Sequence, residues 1–292
     1  MSKQNGFTLI ELMISSLIGL ILMGGIMNLF ITTNRSATLS DALTQNQETG
    51  RFAMEYLTKF IRRAGYQENS KIGMPPVFAS YSGTPPLITC GADDEAEACS
   101  VNDLDPLEDE DAILGDRLGI SYEVTNGTTR SCTGQVLPSI EDFYYADVFW
   151  VVGDENSDTY QDLVCRTYDV QAGAWLGIAP VSIINHVARF EFQVGLASDA
   201  RQQNVARYVN LTTAEATAGY STLVRSIRIA ILTTSEDNTN TDRVQSIKQA
   251  RTYSLLDAEP LETADDDGAL RNIFMNTIEL TNLIETVRYN DI

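Results

Sequence analysis

The stretch GFTLIELMISSLIGLILMGGIMNLFI, residues 6–31, decides how the rest of the chain is read. From Leu12 to Ile31, twenty consecutive positions carry no charged side chain. At about 1.5 Å per helical residue such a run matches the roughly 30 Å hydrocarbon core of a bilayer, so it predicts a membrane-spanning helix. Glu11 stands at its entrance. A carboxylate beside lipid costs about 2.5–3.5 kcal/mol at the centre of a span on insertion scales, and its position calls for a cationic partner. An ordinary secretory signal has a basic start, a shorter apolar stretch and a small-residue cleavage site after it. Here the leader Met1 to Gly6 carries Lys3 alone as a base, the apolar run is longer, and no Ala-x-Ala pattern follows it.

Gly6 followed by Phe7, with Glu11 as the fifth residue counted from Phe7, resembles the class III signal of type IV pilins and type II secretion pseudopilins. The resemblance implies cleavage by a prepilin peptidase between Gly6 and Phe7 and N-methylation of Phe7. It also makes Glu11 the assembly carboxylate, meeting the amino terminus of a neighbouring subunit inside the apolar core of a filament.

With 292 residues there is room, beyond this helix, for one large domain or two small ones. Acids outnumber bases 40 to 20, and loss of Lys3 with the leader takes the formal balance from −20 to −21. Phosphate contacts need clustered Lys and Arg, so this balance argues against nucleic-acid binding and suits a solvated surface that resists nonspecific association. The four cysteines, Cys90, Cys99, Cys132 and Cys165, all follow the apolar run and contain no Cys-x-x-Cys pair. That spacing is poor for zinc, whereas an even count suits disulfides in an oxidising compartment. Of the three formal connectivities, Cys90 with Cys99 and Cys132 with Cys165 close sequence-local loops and are preferred. Each would contribute roughly 2.5–4 kcal/mol on the chain-entropy model.

Behind the span, Leu39, Leu43, Ala53, Leu57, Phe60 and Ala64, joined by Met54 and Ile61, recur at helical intervals, while Arg35, Asp41, Gln45, Glu48, Glu55, Lys59 and Arg62 fall largely elsewhere. The reading is one helix from Phe7 to Ala64, about 87 Å long, with Gly65 past its end. Gly19, Gly24 and Gly25 interrupt its apolar half; close helix packing and local unwinding in a filament are both open readings. From 66 to 117 the pattern breaks. Pro75, Pro76, Pro85 and Pro86 punctuate it, and Asp93 to Asp116 holds eleven acids without a base, which reads as a solvated loop. No EF-hand spacing occurs there or at Asp265-Asp266-Asp267-Gly268, so no metal and no cofactor are expected.

Alternating strands follow. Leu118, Ile120, Tyr122 and Val124 precede Asn126-Gly127, the dipeptide favoured in a two-residue hairpin. Asp147 to Val152 and Leu163 to Tyr168 form an apolar pair. Ala188, Phe190, Phe192 and Val194 define a half-buried strand, Ile227, Ile229 and Ile231 another, and 251–256 and 273–281 the last candidates. Helix first and strands afterwards imply an α+β chain. A long N-terminal helix, membrane half plus amphipathic half, would pack on a mainly antiparallel β-sheet head. The expected segments are a leader 1–6, the membrane and assembly half 7–31, the amphipathic half 32–65, the acidic Pro-containing loop region 66–117 and the β-rich head 118–292.

The stretches Leu118-Gly119-Ile120-Ser121-Tyr122-Glu123, Leu163-Val164-Cys165, Val224-Arg225-Ser226-Ile227-Arg228-Ile229 and Leu270-Arg271-Asn272 resemble PilW-type minor pilins of the type IV pilus. That resemblance implies a structural subunit, anchored by a single span in the inner membrane with a periplasmic head and later carried into a surface pilus. Its implied partners are the prepilin peptidase, other minor pilins, the major pilin and the inner-membrane assembly platform. A J-type pseudopilin of type II secretion shares the signal and helix, and a tip adhesin is a third reading. Catalysis is not expected: the one histidine, His186, lies among Ile183, Ile184 and Val187, and no Gly-x-Ser-x-Gly, Walker or dinucleotide motif occurs. Trp150, Trp175 and the twelve tyrosines read as strand core before ligand surface.

Overall fold

The computed structural model describes residues 8–66, 89–90, 97–104, 115–124, 127–138, 144–153, 161–235, 251–262 and 269–282. Gly6, Phe7, the five prolines of 66–117 (Pro75, Pro76, Pro85, Pro86 and Pro106) and much of the acidic stretch lie outside the described residues. The fold divides into two units, Met1–Thr44 and Gln45–Ile292, and the first helix, α1 (Leu9–Ile61), contributes residues to both.

Over Leu12 to Ile31, within the first unit, α1 carries no charged side chain and is predominantly apolar on every side; Arg35 and Asp41 follow. Its few hydroxyls are absorbed by the backbone: Ser15 donates to the Glu11 carbonyl at 2.7 Å, and Thr32 and Thr33 donate to Asn28 and Leu29 at 2.8 Å each. Back-bonding of this kind lets a hydroxyl sit in an apolar surface without an unpaired donor.

In the second unit the same helix turns amphipathic. Asn46, Gly50, Ala53, Leu57, Phe60, Ile61 and Ala64 form its buried line, at the three- and four-residue spacing that keeps one face inward. The helical hydrogen bonding tightens after Ile61, where Arg63 and Ala64 donate to carbonyls only three residues back. Gly65 then takes a left-handed φ of 72° and donates to the Ser121 carbonyl at 2.9 Å, and Asn282 caps the end by donating to the Arg62 and Ala64 carbonyls.

The partner of that face is a sheet. Its strands are β3 (Val101–Leu104), β4 (Gly115–Glu123), β5 (Tyr144–Val152), β6 (Asp162–Asp169), β7 (Ala174–Asn185), β8 (Val187–Leu196), β9 (Arg207–Val209), β10 (Val224–Thr234) and β13 (Arg271–Glu279). The order is β13-β10-β8-β4-β5-β6-β7, with β3 on β4 and β9 on β8. Every described pairing is antiparallel apart from one parallel bridge, Gly115 to Phe190, that joins β4 to β8. Gly115 is required there: its φ is +92°, and a Cβ would run into the Phe190 carbonyl oxygen.

Alternation along the strands sorts the two faces. Leu118, Ile120, Phe149, Val151, Phe190, Phe192, Ile227, Ile229 and Ile231 point to the helix side and share one core with Ala53, Leu57, Phe60 and Ile61. On the opposite face Ala146, Val148, Trp150, Val164 and Tyr168 pack with Cys90 and Cys99. These cysteines belong to a small ribbon, β1 (Thr89–Cys90) and β2 (Glu97–Ala98) with the residue after it. Ser100 Oγ fixes that segment to β4 by accepting from the Gly119 amide at 2.8 Å. A second ribbon, β11 (Thr252–Tyr253) and β12 (Leu261–Glu262), brings Leu255 over Ala188, Ala230 and Leu232. Two short helices, α2 (Leu211–Glu215) and α3 (Tyr220–Leu223), complete the described elements. Asn210 caps α2 by accepting from the Thr213 amide at 2.9 Å.

Several expectations need correction. Helix α1 stops at Ile61, three residues before Ala64, and Leu43 is exposed. The region expected as loop to 117 contains β1, β2 and β3, and β4 begins at Gly115, with Asp116 and Arg117 buried in it. Of the expected hairpin turn at Asn126-Gly127, Asn126 lies outside the described residues, and the described antiparallel partner that β4 finds further along the chain is β5, with Glu123 opposite Tyr144. The intervening segment has its own small closure at Arg130 and Val136. Strands β8 and β10 are buried on both faces, since the β11–β12 ribbon covers the side expected to meet water. Strand β7 was not anticipated.

Candidate functional site

Fifteen large apolar side chains between Leu9 and Phe30 are each more than half exposed, from 52% at Ile18 to 78% at Leu9. Covering one such side chain is worth about 1.5–3 kcal/mol, so this surface calls for lipid or other helices around it. Among the described residues this is one helix long and apolar enough to cross a membrane. Glu11 lies in its first turn, where the amide end of the helix favours a negative charge. Its amide and that of Leu12 donate to the Thr8 carbonyl at 3.1 and 3.2 Å, and among the described residues its carboxylate is in no ion pair. Helix α1 runs unbroken through Gly19, Gly24 and Gly25, and a Cβ at any of them would meet nothing within 4 Å. Nothing described in this single chain therefore demands glycine there, and the gaps are open to a neighbouring helix.

In the second unit the structure joins Cys90 to Cys99 and Cys132 to Cys165, with Cα separations of 5.1 and 6.3 Å. The second bridge sits beside a carboxylate that the sequence did not single out. Asp147 of β5 is fully buried and accepts hydrogen bonds from Thr167 Oγ1 at 2.6 Å, Tyr122 Oη at 2.9 Å and the Cys132 amide at 3.1 Å. Burial pushes its carboxyl above the ordinary range, and these three donors and Arg63 pull it back. Burial, then the nearby Asp147, pushes Tyr56 up to about 12 and Tyr122 well above the usual phenol value. The Tyr56 hydroxyl donates to the Cys132 carbonyl. The cluster Cys132, Asp147 and Cys165 has the proximity of a metal site. As a disulfide beside a hydrogen-bonded acid, it instead ties α1, β4, β5 and β6 together.

His186 occupies the β7–β8 corner with a left-handed φ of 64° and accepts from the Thr234 amide at 2.9 Å. Trp150 is core. Trp175 packs edge-on to Tyr168 at 5.2 Å with the Arg166 guanidinium 5.0 Å above its ring.

Residues 1–27 match the prokaryotic N-terminal methylation motif. With the helix and sheet just described, this defines the class: a membrane-anchored type IV pilin, processed by a prepilin peptidase and assembled with other pilins. Residues 148–282 match the family model PilW, described as type IV pilus-assembly protein W. This match and the methylation motif together support a PilW-type minor pilin of the type IV pilus, a structural kind of protein. Three of the four head motifs quoted above fall within 148–282, and Leu118 to Glu123 precedes it. No curated protein matches the sequence. Among solved structures, a type IV-like pilin from Thermus thermophilus matches at 14% identity and a TM-score of 0.36, over 84% of this chain and 96% of its own.

Proposed function

We propose that this minor pilin helps to initiate a type IV pilus by joining other minor pilins in the inner membrane before the major pilin is added. The peptidase cuts after Gly6, Phe7 becomes the methylated amino terminus, and Glu11 pairs with that terminus on a neighbouring subunit. The observation that carries this reading is a predominantly apolar helical surface, exposed all round, with one carboxylate at its start. Lateral packing of such helices covers the surface, and the charge pair sets their register, because a lone carboxylate in an apolar bundle is costly. The head lies in the periplasm before assembly and at the pilus tip afterwards.

Glu11→Ala tests this. Membrane insertion stays intact while recovery of the subunit in sheared pili falls; normal incorporation contradicts the assigned role. Deleting the gene separates the pilus from a secretion pseudopilus: surface pili are lost with type II secretion intact, and the converse phenotype selects the pseudopilin.

A further inference from the structure

The end of α1 borders an open pocket of about 830 Å³, shared with the end of β4 and the 128–134 loop. Its charged lining is Lys59, Arg62, Arg63 and Arg130 against one carboxylate, Glu123. The chain as a whole has twice as many acids as bases, so the local balance is inverted. Three of the cations follow from ordinary helix chemistry, since the carbonyl end of a helix favours positive charge. Arg130 does not. It arrives on a separate loop, its guanidinium donating to the Gly134 carbonyl at 2.9 Å, while Arg63 donates to the Arg130 carbonyl at 2.6 Å.

Like charges on one wall repel, and among the described residues none of these four cations is in an ion pair. Ring faces and carbonyls hold three of them: Arg63 lies 4.5 Å above the Phe60 ring and 5.7 Å from that of Tyr122, Lys59 lies 5.6 Å from Phe60, and Arg130 has the Gly134 carbonyl. Four cations against one lining carboxylate, with the buried Asp147 carboxyl near Arg63, leave this wall with an excess of positive charge, the complement of an anionic partner. The volume lies in the range of about 300–1,000 Å³ that holds a ligand far larger than a simple anion. The aromatic surface between the cations also suits a chain in which acids alternate with apolar residues.

We propose that this pocket binds a carboxylate-rich peptide segment of a partner protein. The inference does not depend on polymerisation. Its test uses the full-length protein in detergent micelles and a fluorescent decapeptide with the sequence of residues 105–114, Asp-Pro-Leu-Glu-Asp-Glu-Asp-Ala-Ile-Leu, chosen for its mixture of acids and apolar residues. Anisotropy titration gives saturable binding that rising salt weakens. Binding falls by about tenfold or more when Arg62→Ala and Arg130→Ala are combined. Both side chains are exposed; should that pair of changes disturb the fold, Lys59→Glu on the exposed helix surface gives the same loss. Absence of saturable binding, equal affinity in variants that melt normally, or equal binding of a peptide with its acids changed to Asn and Gln overturns the proposal. Displacement by equimolar inorganic phosphate reassigns the pocket to small anions and overturns it too.

Discussion

Two apolar stretches of this chain, built from much the same residue types, meet opposite surroundings. Between Leu9 and Phe30 the leucines, isoleucines and methionines are exposed all round the helix, whereas Ile227, Ile229 and Ile231 of β10 are completely buried. The difference lies in period. An unbroken apolar helical run presents grease in every direction and can be satisfied only by lipid or sister helices, while the two-residue period of a strand lines up Ile227, Ile229 and Ile231 on one face, where the rest of the chain covers them. Composition alone would not separate them.

A charge placed in each stretch sharpens the contrast most. Ile229→Asp puts a carboxylate into the closed core and is expected to cost more than about 4 kcal/mol, seen as loss of the cooperative melt. Ile21→Asp leaves that melt unchanged and instead weakens membrane insertion by about 2.5–3.5 kcal/mol, measured by partition between membrane and soluble fractions. Equal effects on the melt would erase the distinction. Next come the disulfides, which stabilise the second unit alone. Replacing Cys132 and Cys165 by alanine should cost about 3–4 kcal/mol in denaturant unfolding, and replacing Cys90 and Cys99 somewhat less, because the longer loop loses more closure entropy. Insertion of the helix should not change.

Glycines sharpen the comparison further. Gly50→Ala drives a Cβ into the Phe274 ring and should destabilise by about 1–3 kcal/mol, whereas Gly24→Ala, with open space around it, should leave the melt unaltered or slightly raised. The smallest effect is on pH dependence. Burial raises the Asp147 carboxyl above its unfolded value, so the folded state holds that proton more tightly. The resulting stability is present below the unfolded pKa and is lost as pH rises through the folded one. Asp147→Asn should flatten that part of the stability profile in melts across the acidic to neutral range, and an unchanged slope would show that Asp147 does not titrate on unfolding.

The first unit was legible because its signal is local: an uninterrupted run, a single carboxylate and a processing motif need no knowledge of distant residues. Strands β5, β6, β8 and β10 were legible for the same reason, through their alternation. Strand β7 was not. Gly177, with φ at 79°, and Pro180 interrupt its pattern, and as an edge strand it leaves Ile178 fully exposed. The role of Asp147 depends on Tyr122, Cys132 and Thr167, which come from three other parts of the sequence, and the pocket needs Arg130 beside Arg63. The two-faced burial of β8 was hidden likewise, because its cover arrives from residues near 255. Such features exist only once the chain has closed on itself.

The most direct measurement is the intact mass of this polypeptide recovered from sheared surface filaments. A trimmed and polymerising subunit gives a chain beginning at N-methylated Phe7, present in the filament fraction. A chain that retains Met1 to Gly6 and stays in the membrane, absent from every filament preparation, would contradict assembly through this helix.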